Sequence, residues 1–141
     1  MNAKTFVDTN ILVYAYDSST PSKREIAKNI LTKLWGERTG ALSVQVLQEF
    51  YVTVTRKIPK PLTTSVAQEI VASYASWCGE TSAAEVTAAF RIESQSRIGY
   101  WDALIVASAA KAGAVRLFSE DLNAGQVIGG VQIENPFAKT A

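Results

Sequence analysis

Short apolar runs alternate along this chain with longer stretches of helical period, and that alternation limits the fold more than any other feature of the sequence. Thr5-Phe6-Val7 is an apolar run that ends at Asp8. Strand is expected over residues 4–8, followed by a turn into a short helix from Ile11 to Tyr16. Ser18-Ser19-Thr20-Pro21 has the composition of a helix start. Ile26, Ile30, Leu31 and Leu34 then recur at helical spacing, with Gly36 and Gly40 bracketing the stop. Ala41-Leu42-Ser43 is the next strand candidate, and Ser43 can cap a helix carrying Val46, Leu47, Phe50 and Val54, which Ile58-Pro59-Lys60-Pro61 breaks. Thr63 to Trp77 is amphipathic, and Thr81-Ser82 reads as a very short strand. Helices are expected from Ala84 to Arg97 and from Tyr100 to Ala112, the second almost wholly apolar and ended by Gly113. Strands over Val115 to Ser119 and Val131 to Ile133 follow. Strands separated by helices imply a parallel sheet with helices on both faces.

Composition narrows the chemistry. The 141 residues, 48 % of them hydrophobic, suit one domain over residues 1–141 with a substantial core. The chain has no histidine, which removes Ser-His-Asp triads, histidine acid–base pairs and histidine metal sites together. Its one cysteine, Cys78, forms no intrachain disulfide and no cysteine metal cluster, and fits a reducing compartment. A net charge of +1 is not that of a protein that coats DNA, but bound cations can supply the positive charge a phosphate needs. The N-terminal residues lack signal-peptide architecture, and no apolar run approaches the ~18 residues of a membrane helix, so a cytoplasmic protein without a membrane partner is expected.

Against that background the acids stand out. Of four aspartates, three adjoin apolar elements: Asp8 ends the first strand, Asp102 opens the apolar helix and Asp121 lies just past the strand at 115–119. In an open parallel sheet the crossover helices run antiparallel to the strands, so strand ends and helix starts share one edge. The helix from 102 to 113 covers about 18 Å at 1.5 Å per residue, and a strand of five or six residues returns about the same distance. Asp121 therefore comes back to the edge that Asp102 left, the carboxyl edge where such sheets bind ligands. Glu49, one to two turns into the helix after Ser43, can reach that edge from the side. Clustered carboxylates repel unless protonated or metal-bound, and all-oxygen ligation suits Mg²⁺ or Mn²⁺. Held there, such an ion can activate water and neutralise a phosphoryl transition state. Each acid alone also has a plain structural reading. Asp8 and Asp102 can serve the starts of helices, Glu49 can be a solvated helix residue, and Asp121 a turn residue before Asn123. The conjunction favours a site.

The segments holding these acids have a familiar look. Phe6-Val7-Asp8-Thr9-Asn10-Ile11-Leu12-Val13-Tyr14, Leu47-Gln48-Glu49-Phe50, Tyr100-Trp101-Asp102-Ala103-Leu104-Ile105-Val106-Ala107-Ser108-Ala109 and Leu117-Phe118-Ser119-Glu120-Asp121-Leu122 resemble, in order, the four acidic motifs of PIN-domain nucleases. The resemblance implies a three-layer α/β/α sandwich with a short central parallel sheet, and Mg²⁺- or Mn²⁺-dependent cleavage of RNA phosphodiesters. It implies Asp8, Glu49, Asp102 and Asp121 as metal-binding and catalytic acids, with Asn10 and Ser119 supporting them. Small members of this length resemble VapC-type toxins, which implies a homodimer and a cognate antitoxin as partners. The Leu122-Asn123-Ala124-Gly125-Gln126 loop and the Asn135-Pro136-Phe137 tail look like a subgroup less tied to toxins.

Other readings compete. An aspartyl-nucleophile phosphatase wants a second Asp two residues after the first, where Asn10 stands, and a phosphoacceptor receiver wants paired acids where Val7 precedes Asp8. A catalytically silent scaffold that only binds partners is the non-enzymatic alternative. Arg56, Lys57 and Lys60 form one local basic cluster, read first as a solvated helix end and second as a phosphate contact. Trp35, Trp77 and Trp101 fall in apolar helical patterns, so core or dimer packing is expected of them rather than base stacking. Tyr74, Trp77 and Phe90 add more apolar surface than one small core readily takes up.

Overall fold

Residues 5–7 belong to a short strand and cross the core buried on both faces. In the computed structural model, which describes residues 3–138, β1 (Lys4–Val7) buries Thr5, Phe6 and Val7 in succession rather than in alternation, the pattern of a central strand covered on both sides. It leads into α1 (Thr9–Tyr14) and α2 (Pro21–Glu37), then β2 (Gly40–Ala41), α3 (Val44–Arg56) and α4 (Thr64–Tyr74). After a 3₁₀ turn at Ala75–Trp77 come α5 (Ala83–Ser96), α6 (Tyr100–Lys111), β3 (Ala114–Phe118), β4 (Val127–Ile128) and β5 (Val131–Glu134).

The strands form one sheet in the order β2-β1-β3-β5-β4. β1 pairs in parallel with β2 and β3, and β3 with β5, while β4 runs antiparallel to β5 at the edge. A parallel bridge between Leu42 and Cys78 continues the other edge beyond β2. From β1 the chain thus steps outward through α1 and α2 to β2, and through α3 and α4 to Cys78. It returns through α5 and α6 to β3. Right-handed crossovers that progress in opposite directions place their helices on opposite faces. Accordingly α1 packs with α2 and α3, and α3 with α4, whereas α5 packs on α6, and α6 on β3 and β5. This is the expected three-layer sandwich, with an antiparallel edge strand added.

Local chemistry accounts for most boundaries. Ser43 and Thr63 accept bonds from the backbone N–H groups of Val46 and Val66 and so cap α3 and α4. Ser82 and Glu85 form a capping box at the start of α5. Residues 81–82, expected as strand, are therefore a helix cap, and the parallel bridge falls instead at Cys78. α2 runs through Gly36 and stops where Arg38 takes a left-handed conformation (φ 58°). Gly40 gives Trp77 room against β2, since a Cβ there would enter the indole ring. Tyr74 is buried beneath Trp35 and Trp77, with ring centroids about 5 Å apart. Phe90, by contrast, is more than half exposed at 55 %. No described helix is long and apolar enough to cross a membrane.

Candidate active site

Register puts the strand ends together. Val7 pairs with Phe118, and the backbone N–H of Asp8 donates to the Phe118 carbonyl at 2.9 Å. Asp8, one residue past β1, and Ser119 to Asp121, just past β3, are therefore neighbours at the carboxyl edge. Asp102 is the third residue of α6, whose far end feeds β3. Gly99, not Asp102, occupies the cap position there. Asp102 thus lies in the first turn, where the helix dipole favours a carboxylate, without serving as the cap. Glu49 lies in the second turn of α3. All four expected acids line one open cleft of about 640 Å³.

Hydrogen bonds orient three of the four acids: Asp8, Glu49 and Asp121. Asp8 is nearly buried (6 % exposed) and accepts from the Thr9 backbone N–H and the fully buried Ser119 hydroxyl, both at 2.7 Å. The same hydroxyl accepts from the Asp121 backbone N–H at 3.2 Å. Asn10 donates from Nδ2 to Asp121 at 3.0 Å and accepts the Glu120 N–H on Oδ1 at 3.2 Å, tying α1 to the loop after β3. Asn10 thus bonds to Asp121, and Ser119 to Asp8. Glu49 accepts from the Thr9 hydroxyl at 2.6 Å and from Gln45 Nε2 at 3.5 Å, and that amide also reaches the Trp101 carbonyl at 3.4 Å. Glu120 is held by the Tyr14 hydroxyl at 2.6 Å and by Lys23.

The carboxylates feel one another. Burial, reinforced by Asp121 and Asp102, pushes the Asp8 carboxyl up to about 6 despite its two donors. Burial raises Asp102 as well, with Asp121 and Glu49 adding to it. Yet among the described residues no three acidic or cysteine side chains converge closely enough to hold an ion as placed. Asp8, Glu49 and Asp121 each lean on donors of their own. The donor set is oxygen alone, since the chain lacks histidine and Cys78 lies outside the cleft. That set suits a hard divalent cation.

Sequence reasoning missed Thr9, Gln45 and Glu120, whose roles depend on which distant groups they meet. Of the two environments expected of Trp101, the core is excluded: it is 65 % exposed and lines the cleft beside Asp102. Lys57, from the basic cluster at the end of α3, lines the cleft too.

A doubly wound parallel sheet with an acid-lined cleft at its carboxyl edge defines the class of domain. The family model described as PIN domain matches residues 5–128, and the chain belongs to that family. Three solved structures are similar over most of their length. One is VapBC2 from Rickettsia felis bound to a DNA fragment from their promoter, with 24 % identity, TM-score 0.65, 93 % of this chain and 97 % of that one. A second is VapC20 of Mycobacterium tuberculosis, a Sarcin-Ricin loop cleaving toxin, with 17 % identity, TM-score 0.61, 84 % and 90 %. The third is FitAB bound to an IR36 DNA fragment, with 18 % identity, TM-score 0.69, 97 % and 98 %. At these identities the likeness is one of fold. No curated protein matches the chain in sequence.

Proposed function

We propose that this protein is a metal-dependent endoribonuclease that hydrolyses RNA phosphodiester bonds at Asp8, Glu49, Asp102 and Asp121, and that residues 1–141 form a single PIN domain. One observation carries the reading: acids from four separate segments line the same cleft. The all-oxygen donor set suits Mg²⁺ or Mn²⁺, which Asp8, Asp102, Asp121 and Glu49 would hold by turning toward it. A bound ion of this kind supplies an acidified water and charge neutralisation at phosphorus. The chain's own part is orientation. Ser119 and Thr9 fix Asp8, Thr9 and Gln45 fix Glu49, and Asn10 fixes Asp121. Cleavage of RNA is expected to appear with Mg²⁺ or Mn²⁺ and to vanish on chelation. Cleavage that survives complete chelation refutes the metal mechanism, and none with either ion favours the silent scaffold.

The biological role proposed is that of the toxin in a toxin–antitoxin pair, acting in the cytoplasm and restrained by a cognate antitoxin. It is supported by the fold shared with VapBC2, VapC20 and FitAB over nearly whole chains. A homodimer is proposed with it. Phe90 and Val86 on α5 leave an exposed apolar face on the helical layer opposite α4, of the kind that self-association covers. Light scattering at tens of micromolar, a range suited to weak interfaces, is expected to give twice the chain mass. A monomer at that concentration speaks against the dimer.

A further inference from the structure

An indole that is 65 % exposed is unusual, and this one forms part of the wall of the cleft that holds the acids. Trp101 occupies the first turn of α6, next to Asp102. One contact reaches its ring and another its backbone. The Tyr100 ring stands edge-on to it at 5.1 Å, itself packed against Phe90 at 5.7 Å, and Gln45 Nε2 donates to the Trp101 carbonyl. The Tyr100 contact thus steadies the ring, which stays largely uncovered among the described residues.

The rest of the cleft says what such a ring can meet. Val52 and Ile105 add apolar surface beside the carboxylates. Lys57, which closes α3, contributes a cation to the same cleft. It lies eight residues beyond Glu49, about 12 Å along the helix. Acids, an exposed indole and a cation at a distance from the acids match the parts of a nucleotide chain: a phosphodiester, a base and a further phosphate. Exposed aromatic rings beside a cationic group are how proteins hold unpaired bases, whose π-faces a duplex keeps stacked and out of reach.

Resting on the nuclease reading, we infer that Trp101 forms a nucleobase subsite: an unpaired base of the substrate stacks on its indole next to the bond to be cut, and Lys57 takes a neighbouring phosphate. Only an unpaired base can stack there, so a single strand probes the subsite and a duplex is its control. Trp101 is a positioning residue here, and its effect is on binding the strand.

The test is fluorescence anisotropy with a labelled mixed-sequence oligoribonucleotide of about ten nucleotides, free or annealed to its complement, with Ca²⁺ in the cleft in place of the catalytic ion. Trp101→Ala is expected to weaken single-strand binding by about 5- to 100-fold, the range for loss of one base–aromatic stack. Trp101→Phe retains most of the affinity, and the duplex binds weakly and equally to all three proteins. Because the ring is exposed, melting temperatures stay within a few degrees of one another, which separates lost stacking from lost fold. Single-strand affinity unchanged in Trp101→Ala overturns the inference, as does equal loss for strand and duplex. Conversion of a dimer to a monomer without loss of RNA affinity also overturns it, and assigns the ring to self-association. A wild-type protein that binds the strand through Trp101 but never cuts it with Mg²⁺ or Mn²⁺ refutes the nuclease reading and leaves the subsite standing.

Discussion

Asp102→Asn is expected to reduce RNA cleavage by at least about a hundredfold, because several kcal/mol of charge stabilisation are lost at 1.36 kcal/mol per factor of ten. The metal-free fold should not suffer. Asp102 is not the cap of α6, so no capping bond disappears with its charge. Burial and the neighbouring Asp121 and Glu49 already hold its carboxyl above the usual range. Removing that charge relieves repulsion, and the amide keeps the shape. The melting temperature in chelator is expected to equal or exceed that of the wild type. A variant that cleaves RNA like the wild type at the same ion concentration contradicts the role given to Asp102. One that is markedly less stable without metal assigns the residue to the fold.

Asp8 carries the larger effect on stability. Its carboxyl titrates near 4 in an unfolded chain but is pushed up to about 6 by burial in the folded one. Between those values the folded state holds more protons than the unfolded state, so stability falls as pH rises through that interval. At about 1.4 kcal/mol per pH unit, the ionised form costs the metal-free fold on the order of 3 kcal/mol at pH 7. Asp8→Asn avoids that cost but must reorient its bond with Ser119, which takes back about 1 kcal/mol. In chelator at pH 7 the variant is expected to be about 1–3 kcal/mol more stable than the wild type, with the advantage gone by pH 4. Denaturant titrations at the two pH values measure it. A variant less stable at pH 7, by a margin that pH leaves unchanged, contradicts the account of a carboxylate strained by its surroundings.

These effects trace back to features that a reader of the sequence can and cannot find. The parallel sheet, its covering helices and the shared edge of Asp8, Asp102 and Asp121 follow from periodicity and from the direction of crossover helices, which depend on local residues. β4 escaped that reasoning. Its two residues, Val127 and Ile128, become strand only by folding back on β5 through Gly129 and Gly130, both at positive φ. Residues 81–82 misled because Ser82 acts through its side chain as a helix cap. α4 stops at Tyr74, three residues short of the expected end, in a 3₁₀ turn that brings Trp77 under β2. Thr9 and Gln45 belong to the site only because Glu49 arrives from forty and four residues away in sequence, respectively. Trp101 shares an apolar helical pattern yet lies outside the core, since α6 is apolar on nearly every side and periodicity could not tell which side is left uncovered.

The central claim is that the four carboxylates together hold the ion on which RNA cleavage depends. A crystal grown with Mn²⁺ and recorded at a wavelength where manganese scatters anomalously tests it most directly. The account predicts an anomalous peak in the cleft, ligated by carboxylate oxygens of Asp8, Glu49, Asp102 and Asp121, directly or through water. A protein that cleaves RNA in that same Mn²⁺ solution, while its crystals hold no ion among those four side chains, would contradict it.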